Sequence, residues 1–469
     1  MYKEKIDAFI EENKDILIED ICGLIRIPSV VNGSQGELPY GRYSAEALDY
    51  VLRRAQEMGF ETKNLDYRMG YAAYGPEPRK VDIVSHVDVV KADEGWTITD
   101  PFNPCVKDGK IYGRGAADDK GPTIAALYAL YVVKQLGIPL KRGVRVVMGC
   151  NEENGTREDL RHYISSENAA EISISPDADY PVINVEKGSL RGRVTAEFEQ
   201  EDKLPRIRTI DGGKLRYEIP GVAKASVKGM TVEELAPFIL GAKRDNDISI
   251  TVEKEDDDIL FLQAQGRKTH VGAMDLGNNA ITGMIDFLLS LPLAQCTGVD
   301  RLRGLQEVFP HGDNKGTAAG IARSTKDSGD LSCTFNIFHY TEQGFTGSFD
   351  SKTPLGCTEE NTKKVMVSSL ENRGITVQEC ELKPVHYVPL DGELVQTLLS
   401  LYTEYTGLEG YGVTIDGTTY LHGMKNAVAF GCAMPGVDNH MHMGNEFADI
   451  DVLLMSVKIY ARAIIEFCA

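Results

Sequence analysis

Five stretches of the chain carry side chains able to bind metal ions or move protons: His86 and Asp88, the pair Asp118-Asp119, the pair Glu152-Glu153, Asp177, and His440-Met441-His442. Imidazole nitrogens and carboxylate oxygens together form the ligand set of zinc or manganese. A carboxylate left over from coordination suits general acid–base work. Singly, each stretch has an ordinary explanation. Acids before a helix complement its dipole by about 0.3–1 kcal/mol, and acid pairs in loops are usually solvated. Their placement gives them weight, because His86, Glu152, Glu153 and Asp177 each fall at the carboxyl end of a predicted strand, the edge where open α/β sheets assemble ligand sites.

The elements that must position them follow from periodicity. Residues 81–88 are short, rich in branched side chains and bounded by turn formers, which predicts a buried strand with His86 and Asp88 on one face, the carboxylate placed to orient the imidazole. Gly121-Pro122-Thr123 opens a helix, with Pro122 at its first position and Gly137 at its stop. Strands are expected over 144–149 and 171–175, and amphipathic helices over 6–25 and 44–58. After Glu186-Lys187-Gly188 the pattern turns to alternating segments at 190–198, 223–228, 248–253 and 259–265, with helices at 232–241 and 278–290. Helix–strand alternation resumes near Pro389 with 393–405, 427–431 and 450–467. At 469 residues the chain exceeds what one core usually supports. We therefore expect an α/β catalytic domain made of residues 1–186 and 387–469, with a strand-rich α+β domain, 187–386, inserted into it.

Composition narrows the partners. A net charge of -20 repels nucleic-acid phosphate and anionic membranes, so neither is expected to bind. Nine cysteines without a CxxC pair fit a reducing compartment. The start of the chain shows no apolar signal core, and the longest apolar run, 124–133, is too short to span a bilayer. A cytoplasmic protein is expected.

Several motifs together carry a resemblance: SHVDVV with Gly95-Trp96 and Asp100-Pro101-Phe102, GRGAADDKGPT at 113–123, NEENG at 151–155, SPDADYP at 175–181 and HMGNE at 442–446. The chain resembles the co-catalytic zinc peptidase family of aminoacylases, glutamate carboxypeptidases and carnosinases, and within it the bacterial dipeptidase V branch of Xaa-His dipeptidase type. This implies a zinc-exopeptidase-like mixed sheet with helices on both faces, and an inserted lid. It also implies two divalent metal ions, zinc before manganese or cobalt. His86, Asp118 and Asp177 would hold one ion, and Asp118, Glu153 and His442 the other, with Asp118 bridging. Asp88 would orient His86, Glu152 would be the general base for a water activated by the two ions, and His270, in Thr269-His270-Val271-Gly272-Ala273, would be the oxyanion donor.

The implied activity is hydrolysis of short unblocked peptides, a small peptide being the substrate partner. An N-acyl amino acid amidase or deacylase on the same site is the alternative, and a non-catalytic peptide-binding relative ranks last. Three positions depart from the family's grip on the substrate carboxylate. Tyr217 stands where relatives carry asparagine, Lys352 where they carry arginine, and His422 near the place of another arginine. A lysine offers a point charge in place of a two-pronged donor. The longer dipeptidase branch favours a monomer.

Overall fold

Branched, apolar strands buried on both faces build the centre of the first unit, as expected of a sheet covered by helices on two sides. In the computed structural model, which describes residues 2–469, its main sheet runs in the order Glu61–Leu65, Met69–Tyr74, Gly143–Gly149, Arg79–His86, Ile172–Ser175, Ala427–Ala429, Val182–Glu186, His386–Tyr387. Arg79–His86 lies parallel to both Gly143–Gly149 and Ile172–Ser175, and Met69–Tyr74 adds an antiparallel neighbour. The sheet is mixed. Val81, Ile83, Val144 and Val146 point into a core shared with helices Tyr2–Ile25, Lys120–Gln135 and Ile450–Cys468. Val84 and Val147 point the other way, against Leu160 and Tyr163 of helix Glu158–Glu167.

The first unit comprises the described residues up to Glu186 together with His386–Ala469, and the second comprises Lys187–Val385. His386 belongs with the first because it pairs with Glu186 at the sheet edge. The second unit holds an eight-stranded sheet, ordered Ser249–Asp256, Ile259–Gln265, Val222–Lys228, Arg206–Gly212, Ser332–Thr341, Gly344–Thr353, Gly188–Glu197, Thr376–Lys383. Helices Ala280–Ser290 and Thr297–Val308 pack on its apolar face.

Three local expectations change. The strand predicted over 81–88 ends at His86, so Asp88 lies in the following loop, where Val89 bridges to Val30. The helix opened by Gly121-Pro122 begins at Lys120, which makes Pro122 its third residue. That position is still in the first turn, where a missing N–H costs no helical bond. The hairpin Ser332–Thr341/Gly344–Thr353 was not expected, because its second strand, GFTGSFDSKT, is polar and buried nearly throughout, without alternation.

Candidate metal centre

His86 ends its strand fully buried, with Nε2 3.0 Å from Asp118 Oδ1 and 3.4 Å from Asp177 Oδ2. On the other side of Asp118, Oδ2 lies 2.8 Å from His442 Nε2, which is 3.2 Å from Glu153 Oε2. In each set, His86, Asp118 and Asp177, then Asp118, Glu153 and His442, the candidate ligand atoms all lie within 4.8 Å of one another. Asp118 belongs to both. His86 Nε2 and Asp118 Oδ1 are buried without a hydrogen bond of good geometry, a situation that costs about 1–3 kcal/mol per atom unless something else satisfies it. Convergent nitrogen and oxygen atoms of these types fit a divalent cation in each set, and the two unsatisfied atoms lie in the first.

The surrounding loops are held by side chains outside the two sets. Asp88 Oδ1 accepts the Glu152 N–H and Oδ2 the Glu153 N–H, each at 3.1 Å, and Oδ1 stands 3.4 Å from His86 Nδ1. The buried carboxylate thus holds the backbone of both glutamates, while the Asp88 carbonyl, 3.1 Å from His86 Nδ1, orients the imidazole. Asp119 Oδ2 accepts the His86 N–H at 3.0 Å, and the Thr123 hydroxyl donates to the His86 carbonyl at 3.0 Å. Asp159 accepts the N–H groups of Cys150 and Asn151 and the Tyr420 hydroxyl, steadying the turn before Glu152.

Crowding of carboxylates sets the electrostatics. Burial, reinforced by Asp177, Asp88 and Asp118, pushes the Glu152 carboxyl up to about 8. Burial also works against ionisation of Asp118, yet His442 and His86 hold it well below the usual carboxylate range. Hydrogen bonds that the imidazole donates to Asp118 and Glu153 lift His442 to about 10. Beside Glu152 and Asp177 opens a cleft of about 500 Å³, lined further by Asp179, Ile183, Val413, Asp438 and Met441, with no basic side chain in its lining.

Residues 83–466 match the model of Peptidase family M20/M25/M40. The chain belongs to that family. The Beta-Ala-Xaa dipeptidase of Lactobacillus delbrueckii subsp. lactis is 33% identical to it over 97% of each chain. Among solved structures, an aminoacylhistidine dipeptidase from Vibrio alginolyticus superposes with a TM-score of 0.59 at 14% identity, covering 96% of each chain. Human carnosine dipeptidase 1 does so with 0.58 at 14%, covering 100% of this chain and 99% of its own. At such identity these two speak for the fold.

In this M20-family chain the five expected ligands, Asp88, Glu152 and His422 all lie in the first unit. Tyr217, His270 and Lys352 lie in the second. His422 Nδ1 faces Glu186 Oε2 at 2.8 Å, so that nitrogen serves the loop it sits on. Lys352 is buried on Gly344–Thr353, opposite Ser332. Tyr217 is half exposed, its ring tilted against that of His270 at 6.2 Å. His270 is exposed, and its Nδ1 accepts the Gly272 N–H at 3.0 Å, which leaves the ring proton on Nε2. Sequence reasoning assigned no role to Asp119, Asp159 or Glu446. The last was visible only as the end of HMGNE.

Proposed function

We infer that the protein is a metal-dependent dipeptidase acting on short peptides with a free amino terminus. The observation that carries this reading is the place of Glu152: it belongs to neither ligand set, its backbone is anchored on Asp88, and its side chain lines the cleft beside Asp177. Among the described residues its carboxylate makes no hydrogen bond, and cations held in the two sets would favour its ionised form, leaving it able to take a proton from water and return it to the departing amine.

His86, Asp118 and Asp177 would hold one cation and Asp118, Glu153 and His442 a second, zinc being the best match to this nitrogen–oxygen set, with manganese or cobalt as substitutes. When bound, such a pair polarises the scissile carbonyl and acidifies water. His270, with its proton on Nε2, suits the donor of a hydrogen bond to the oxyanion, and the inserted unit that carries it would act as a lid. Asp179 and Asp438 give the cleft a negative lining that favours a substrate ammonium over an acylated amine, and this supports a dipeptide over an N-acyl amino acid. The nine cysteines, all free, support a cytoplasmic location.

The test is a panel of free dipeptides and N-acyl amino acids offered to zinc-loaded protein, with a chelated control. Turnover of the dipeptides, abolished by chelation, is expected. A preference for the blocked amines would overturn the assignment.

A further inference from the structure

Glu446 stands outside both ligand sets and no part of it reaches solvent. Its Oε1 accepts the backbone N–H of Gly115 and Ala117 at 3.0 Å and of Asp118 at 3.2 Å. Its Oε2 accepts from the Arg114 guanidinium, and its own carbonyl accepts the Gly113 N–H at 3.0 Å. Every residue from 113 to 118 except Ala116 therefore bonds to this one side chain or its backbone. A carboxylate seated on converging peptide N–H groups holds them in one arrangement.

The loop that carries Glu446 also carries His442, and it is strained. His440, His442 and Asn445 have φ of 58°, 64° and 61°, a left-handed conformation that non-glycine residues keep only when the surroundings impose it. Asn445 Oδ1 accepts the N–H groups of Thr97 and Ile98 at 2.8 and 3.0 Å. A methyl group on Gly444 would collide with the backbone of Gly95. Both Glu446 oxygens are already committed to donors, so this residue is no further ligand.

We propose that Glu446 is a positioning residue, which pins the loop 113–118 to the loop 440–446 and so fixes Asp118 opposite His442, setting the geometry of both cation sites. The inference rests on the two-cation reading given under Proposed function. Its test is zinc titration of metal-freed protein by calorimetry, for the unaltered chain, Glu446→Gln and Glu446→Asp. Gln keeps the length but turns an amide N–H₂ on Arg114, whereas Asp keeps the charge one methylene short. Zinc affinity should fall about 10–100-fold in Glu446→Gln, with partial recovery in Glu446→Asp and a lower kcat at unchanged KM. If Glu446→Gln does not fold, a smaller but measurable loss of zinc affinity in Glu446→Asp decides the matter. A folded variant that binds two zinc ions as tightly as the unaltered chain would overturn the proposal, even if its thermal midpoint had dropped. Two tightly bound zinc ions in an unaltered chain that cleaves no dipeptide would instead sink the activity while leaving this inference standing.

Discussion

His442 Nε2 lies 2.8 Å from Asp118 Oδ2, although 324 positions separate them in sequence. Without a cation, an imidazole between Asp118 and Glu153 keeps its proton through neutral pH, as its rise to about 10 indicates. A metal ion must displace that proton.

Zinc binding to metal-freed protein should therefore release protons, and its affinity should weaken as pH falls. Calorimetry in buffers of different ionisation enthalpy measures the release. Binding that neither releases protons nor depends on pH would mean that His442 is not a ligand. His442→Ala should retain one zinc ion in place of two, as counted by elemental analysis after dialysis.

Removing Glu152 should separate chemistry from metal binding. Glu152→Ala is expected to lower kcat by about 10²–10⁴-fold, with two zinc ions still bound. Unaltered turnover at full metal content would remove it as the base.

Asp88 serves His86, Glu152 and Glu153 together. In Asp88→Asn one acceptor oxygen becomes a donor facing a backbone N–H. Both zinc affinity and kcat should drop, the affinity by about 10–100-fold. A variant that loses kcat alone would show that His86 is oriented without it.

Glu186 provides a pH-dependent test of stability. Burial pushes its carboxyl up, but hydrogen bonds from His422 and Thr419 outweigh that and leave it below the usual range. A depressed folded pKa contributes stability that is present above the unfolded value, about 4.3, and is lost as pH falls through the folded value. Glu186→Gln should cost about 1–3 kcal/mol at pH 7 and flatten the fall of the thermal midpoint between about pH 5 and 3. Parallel midpoint curves for the two proteins would refute the pairing.

Much of the candidate metal centre was legible because several of its residues sit where strands stop. His86 closes a run of branched residues, Glu152 and Glu153 follow another, and Asp177 a third, so position and chemistry spoke together. The supporting residues gave no such signal. Glu446 works through backbone N–H groups 328–331 positions earlier, and no local pattern announces a partner of that kind. Asp119 looked like the spare member of an acid pair, although its carboxylate holds the backbone of His86. In the second unit, alternation found the strands with one wet face and missed Gly344–Thr353, which has almost none.

The chain leaves the first unit after Glu186 and returns at His386, and these two residues are antiparallel partners in one sheet. Departure and return are therefore about 5 Å apart, a gap that a hairpin of two residues closes. Excising 187–385 and joining the ends with Asn-Gly would leave every strand of the parent sheet with its neighbours, so the first unit can complete its own ladder without the residues inserted into it.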